Sequence, residues 1–230
     1  MTKRVAILQS NYIPWKGYFD LIARVDEFII YDEVQYTKND WRNRNKIKTP
    51  NGVQWLTIPV TQGLDQRIMD VQVTDNRWRT KHWKSLEANY RKANCFSYGE
   101  ELIAEEYHSS EVVSLSEINV GLICKICAGL EISTRISCST DYSLKGDRNE
   151  RLIDICRQTG ADVYVSGPAA QSYLQVNEFR KQGVEVEWFD YSSYPDYPQL
   201  WGGFVHQVSV LDVLFNCGRN AAKFFKFVEA

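Results

Sequence analysis

The chain has 230 residues, 44% of them hydrophobic and 24% charged, and its 27 Lys and Arg against 29 Asp and Glu give a net charge of −2. These values fit a soluble globular protein with a full core, organised over residues 1–230 as one α/β domain with a β-hairpin and helical insertion at about 40–130. They argue against a wholesale nucleic-acid binder, which is usually more basic, and no apolar run approaches the roughly 20 residues that span a bilayer.

No signal peptide is expected, because Lys3 and Arg4 lead straight into a strand; the expected location is cytoplasmic, with all six cysteines reduced. Val5 to Leu8 form a continuous apolar run, which suits a strand covered on both faces in a parallel sheet. A polar loop follows from Gln9 to Lys16, and Gly17 lets the backbone turn into a helix beginning near Tyr18, with Leu21, Ile22 and Val25 on its inner face. Phe28 to Tyr31 make a second strand that closes at Asp32. Ligands of open α/β sheets sit outside the carboxyl ends of the strands, so Gln9, Asn11, Tyr12, Trp15, Lys16 and Asp32 fall where a site is expected.

Residues Gln35 to Lys48 are basic, aromatic and amide-rich. Lys38, Arg42, Arg44, Lys46 and Lys48 stand against a single acid, Asp40, with Gln35, Tyr36, Trp41, Asn43 and Asn45 among them. A guanidinium grips phosphate through paired hydrogen bonds and an aromatic face stacks a base or sugar, so an anionic, ring-bearing ligand is the natural partner. The alternative is a solvated basic face of a hairpin. That hairpin is expected over Lys46 to Val60, turning at Pro50, Asn51 and Gly52.

Residues 67–73 alternate as a further strand would, and residues 77–129 carry helical periodicity. Trp78, Leu86 and Tyr90 then face inward with His82 on or beside that face, a second helix covers about 98–107, and a third begins at the capping signal Ser114 to Glu117. Cys124 and Cys127 form a CxxC inside that third helix; with no second pair nearby they are expected as core residues. No metal site is expected, since His82, His108 and His206 have no ligand spacing.

Beyond residue 130 the chain returns to α/β alternation: a strand at 132–138, a helix at Arg148 to Thr159 stopped by Gly160, a strand at Asp162 to Ser166, a helix at about 171–182, and a strand at Val184 to Tyr191. Polar loops after these strands bring Ser139, Ser166, Gly167 and Tyr173 into consideration. The tail opens on an aromatic, proline-rich stretch, Tyr194 to Trp201, suited either to lining a groove or to covering the sheet. Ser209 and Asp212 resemble a capping box for a helix through Leu214, and Phe224, Phe225 and Phe227 suit a last helix that packs in the core or at a homodimer interface. The fold expected is a mostly parallel sheet flanked by helices, Rossmann-like or nucleotidyltransferase-like.

Six stretches, QSNYIPWKGYFDLI, DEVQYTKNDWRNRNKIKT, WLTIPV, KHWKSLEANY, GADVYVSGPAAQSYL and YPQLWGGFVHQVSVLDVLFNCG, make the chain similar to the WbqC-like family of bacterial proteins. One departure is Ser10, where family members often carry Pro. The resemblance implies a place among O-antigen and other surface-polysaccharide proteins and an acylation or aminoacylation of an amino sugar; it transfers no catalytic residue. The opening also resembles nucleotidyltransferase-like folds, but Trp15, Lys16, Gly17 and Tyr18 stand where those folds have HxGH.

Three functions follow as expectations. The first is an N-acyl or aminoacyl transferase acting on a nucleotide-linked amino sugar, with acyl-CoA or an acyl carrier protein as donor. There Arg42, Arg44, Lys46 and Lys48 hold the diphosphate, Asp32 or His82 is the base, Gln9, Asn11 or Asn43 donates to the oxyanion, and Lys16 neutralises donor charge. The second is an ATP- and magnesium-dependent ligase or nucleotidyltransferase, with Lys16, Arg44 and Lys46 on the triphosphate and Asp32 on the metal. The third is a non-catalytic module that binds glycan or nucleic acid through Trp15, Trp41 and Tyr36.

Overall fold

In a computed structural model, which describes residues 2–61 and 63–229, the chain forms a five-stranded, all-parallel sheet. Strand β1 is Arg4–Leu8, helix α1 Lys16–Ala23 and strand β2 Glu27–Ile30. An antiparallel hairpin, β3 (Arg44–Thr49) and β4 (Gly52–Thr57), and three helices, α2 (Arg77–Tyr90), α3 (Phe96–His108) and α4 (Leu115–Gly129), come next. The sheet resumes with β5 (Arg135–Cys138), α5 (Arg148–Thr159), β6 (Val163–Ser166), α6 (Val176–Lys181) and β7 (Glu185–Trp188), and α7 (Leu211–Cys217) follows. Strand order is β5-β2-β1-β6-β7, with register from Val5 opposite Glu27 to Leu8 opposite Ile30. This is the α/β, Rossmann-like arrangement expected, and its topological switch point lies between β1 and β6, where such folds bind ligands.

Both faces of the sheet are covered, which explains the unbroken apolar run in β1. Val5, Ile7, Ile29 and Tyr164 point to one core with Leu152, Ile155 and Phe179 of α5 and α6. Ala6, Phe28, Ile30 and Val165 point to a larger core that also takes in α1 and the three helices between β2 and β5. No helix among the described residues is long and apolar enough to cross a membrane.

Five expectations on local structure change. Residues 67–73 are not a strand but a 3-10 turn at Ile68–Asp70, flanked by isolated bridges from Gln35 to Arg67, Val60 to Val73 and Gln72 to Ser114. Each of these segments has a different partner, so no ladder extends. The helix expected at 171–182 splits into a 3-10 turn, Pro168–Ser172, and a short α6, because Pro168 nucleates the first turn and Gln175 leaves the helical region. Cys127 is buried as expected, whereas Cys124 lies on the exposed side of α4. Asp212 caps nothing: its carboxylate accepts Tyr90 Oη at 2.7 Å and Tyr197 Oη at 2.8 Å, and the last expected helix is a 3-10 segment, Gly218–Phe224.

Candidate functional site

Everything around the site converges on the loop from Gln9 to Trp15, which leaves the carboxyl end of β1. Ser10 is fully buried and gives its backbone N–H and its hydroxyl to the two oxygens of Asp32, at 2.8 and 2.6 Å; Ser116 donates to the same carboxylate. Tyr12 is buried, its hydroxyl 2.8 Å from Nδ1 of His82 and 2.7 Å from the Tyr107 hydroxyl, and its backbone N–H donates to the Trp41 carbonyl. Asn45 Nδ2 donates to the carbonyls of Tyr12 and Ile13, at 3.1 and 2.9 Å. Ile13 stands at φ 37°, a left-handed conformation costly for a β-branched residue, so the amide of Asn45 is what holds this strained turn.

The turn aims two groups outward. Asn11 accepts Arg42 Nη1 on its Oδ1, and Gln9 Oε1 accepts Arg42 Nη2 at 3.2 Å. With its oxygen occupied by the guanidinium, the Asn11 amide presents its NH2 group as a donor. Trp15 precedes α1 and folds back over Gly17, where any Cβ would overlap the indole. Tyr191 and Tyr194 pack on this ring at centroid distances of 5.4 and 5.6 Å.

These groups line a cavity of about 610 Å³. Asn11, Pro14 and Trp15 form its floor, and Trp41 and Asn45 the side nearest the hairpin. Tyr191, Ser193, Tyr194, His206 and Gln207 form the opposite wall. That wall belongs to a strap, residues 189–210, that has neither helix nor strand. Two buried lysines pin the strap: Lys16 Nζ donates to the Pro195 carbonyl at 2.9 Å, and Lys48 Nζ to Gln199 Oε1 and the Gly203 carbonyl at 2.7 and 2.6 Å. Lys16 also sits 5.1 Å from the ring centres of both Tyr194 and Tyr197, and burial lowers its ammonium to about 8. In the aromatic, proline-rich tail, Tyr194 lines the groove, while Tyr197 is buried against Lys16, Phe204 and Phe224.

On the strap, His206 Nε2 lies 3.2 Å from Asp196 Oδ1. Both side chains are exposed to solvent, and the imidazole also packs edge-on against Phe204 at a centroid distance of 4.6 Å. Neither residue stands out in the sequence, because the pairing depends on a strap whose path no local pattern encodes.

The remaining expected residues divide by location. Asp32 and His82 lie in the scaffold behind the loop and outside the cavity lining. His82 is buried, also bonds the Thr57 backbone, and is held neutral, its imidazole lowered to about 4 by loss of solvent. Asn43 spends its amide on the Ile58 carbonyl at 2.8 Å. Arg44 and Lys46 stand on the outer face of the hairpin, over Trp55. Gln35 reaches Asp65 at 3.3 Å, Tyr36 is half-buried and Lys38 is exposed, all away from the cavity lining. Ser166 is buried at the end of β6, and Gly167 packs against Tyr191, which brings it behind the cavity wall. Ser139 is buried after β5 and Tyr173 lies under Arg148, both outside the cavity lining.

The chain is 49% identical over 227 residues to "Uncharacterized protein Rv1507c" of Mycobacterium tuberculosis, with 98% of each chain covered. No solved structure matches it. Residues 9–224, which take in the loop, the hairpin and the strap, match the WbqC-like protein family, and the chain belongs to that family.

Proposed function

We propose that the protein transfers an acyl or aminoacyl group to the amine of a nucleotide-linked amino sugar in surface-polysaccharide (O-antigen) biosynthesis. The supporting observation is that one aromatic cavity is lined by His206, beside which Asp196 stands outside the lining, and by an amide, Asn11, whose orientation an arginine fixes. The expectation attached to the WbqC-like family points the same way.

The sugar ring packs against Trp15 and Trp41, which offer the flat apolar faces that carbohydrate C–H groups contact. His206 Nδ1 accepts the proton as the amine attacks the donor carbonyl, and the Asn11 NH2 donates to the developing oxyanion. With a thioester donor, acyl-CoA or acyl carrier protein, a C–N bond forms, the C–S bond breaks, and the proton passes to the departing sulfur. Asp32 and His82 hold Ser10 and Tyr12, and so position the loop without touching substrate. Lys16 secures the strap that carries His206.

The test is incubation of purified protein with a panel of amino-sugar nucleotides and thioester or aminoacyl donors, with products identified by mass. An N-acylated nucleotide-sugar is the expected product. No product in any pairing, or acylation at a hydroxyl, would overturn the reading.

A further inference from the structure

The outer face of the β3–β4 hairpin carries chemistry the cavity leaves unused. Trp41 and Trp55 are 42% and 41% exposed, with ring centroids 5.4 Å apart. Two adjacent indoles left in water forgo burial that a folded chain normally recovers, and such a patch marks a recognition surface. Register sets Lys46 opposite Trp55 and Arg44 opposite Thr57, on the same side of the ladder. Lys46 Nζ stands 4.9 Å from the Trp55 ring centre and 5.8 Å from that of Trp41, and it makes no hydrogen bond or ion pair among the described residues. The Arg44 guanidinium lies 4.3 Å from the Trp55 ring centre.

Position along this surface identifies the ligand. Trp41 lines the cavity, Lys46 stands within reach of both indoles, and Trp55 lies beyond the lining. From the cavity outward the groups run Trp41, then Trp55 with Lys46 and Arg44 over it. A nucleoside-diphosphate sugar runs sugar, two phosphates, base. We propose that the outer hairpin face is a nucleobase platform: the base stacks on the exposed indole surface of Trp55, Lys46 and Arg44 contact the diphosphate, and the sugar enters the cavity. Stacking tolerates any base because every base has a π-face, and the ammonium and guanidinium supply the charge that two phosphates require. The proposal rests on the acyl-transfer reading only for the identity of the sugar end.

The experiment is titration of the full chain, followed by tryptophan fluorescence and calorimetry, with uridine, thymidine, guanosine and adenosine diphosphates, an amino-sugar 1-phosphate, the matching amino-sugar nucleotide, and a short single-stranded DNA. At least one nucleoside diphosphate is expected to bind without its sugar and quench fluorescence. Trp55→Ala, at an exposed position that leaves the fold intact, is expected to weaken it roughly tenfold or more, the range of one base stack, and to leave the sugar 1-phosphate unchanged. Lys46→Gln is expected to weaken nucleoside diphosphates and flatten their salt dependence. Nucleotide affinity unchanged in both variants would overturn the platform, as would binding of the sugar phosphate with no nucleoside diphosphate, or tighter binding of DNA than of every nucleotide; the acyl-transfer reading is decided separately, by the appearance of an N-acylated product. Nucleotide binding lost in Trp55→Ala, with no N-acylated product from any donor, would keep the platform and remove the transferase.

Discussion

The side-chain amide of Asn45 lies 2.9 Å from the carbonyl oxygen of Ile13, and it is this contact across two elements that keeps a β-branched residue at φ 37° beside the cavity. Asn45 spends its whole side chain on the backbone: Nδ2 on the loop carbonyls and Oδ1 on the Lys46 N–H at 2.8 Å. Asn45→Ala is expected to cost about 1–3 kcal/mol of stability, since it leaves buried carbonyls without donors, and to weaken ligand binding through the loosened loop. Asn45→Asp, which has no donor to offer, is expected to cost at least as much. Urea unfolding of the three proteins measures both.

Gly17 is needed for a neighbour's position, because a methyl group there would overlap the Trp15 indole. Gly17→Ala is therefore expected to push Trp15 off the cavity floor and reduce ligand affinity, although alanine itself favours the helix. Adding Trp15→Ala should restore stability but not affinity. Fluorescence and binding of the single and double variants separate the two effects; a Gly17→Ala protein with native affinity would refute the placement of Trp15.

Arg42 grips Gln9 and Asn11 together. A lysine cannot reproduce that fork, so Arg42→Lys should behave nearly as Arg42→Ala, with kcat lowered more than KM raised as Asn11 loses its orientation. Equal loss in KM alone would assign Arg42 to substrate binding.

His82 gives a pH dependence with a definite sign. Its folded-state value of about 4 lies below the unfolded value of about 6.5, so below pH 6.5 the unfolded chain takes up a proton that the folded chain refuses. Its contribution to stability is complete above pH 6.5, falls through the window from there to about 4, and changes by about 3 kcal/mol in total. Unfolding of wild type and His82→Asn at pH 7 and pH 4.5 should show a shallower loss in the variant. Parallel pH profiles would mean that His82 is not held neutral.

The sheet was legible because its signals are local. The apolar run of Val5 to Leu8 needs cover on both faces, and the helix at Arg148–Thr159 carries its own stops, with Asp147 capping its first turn and Gly160 at φ 67° ending it. The hairpin turn at Pro50 and Asn51 is equally explicit. What the sequence hides is burial. Asp32 and His82 have the side chains of a catalyst, yet both are committed to the scaffold by contacts with Ser10 and Tyr12 that only the tertiary fold creates. Lys16 and Lys48 read as phosphate grips, but each ammonium is turned onto strap carbonyls. Conversely, Asp196 and His206 lie far from residues 9–48 in sequence, within an irregular strap, and no periodicity marks them.

In the proposed reaction His206, with Asp196 beside it, removes the proton from the acceptor amine. The direct measurement is the rate of N-acylation, under saturating donor and amino-sugar nucleotide, for wild type, His206→Gln, Asp196→Asn and the scaffold variant His82→Asn. The expected result is a loss of about 10²–10⁴-fold in His206→Gln, a smaller loss in Asp196→Asn, and a rate near wild type in folded His82→Asn. Full turnover in His206→Gln would contradict the account and return the search for a base to the other groups of the cavity.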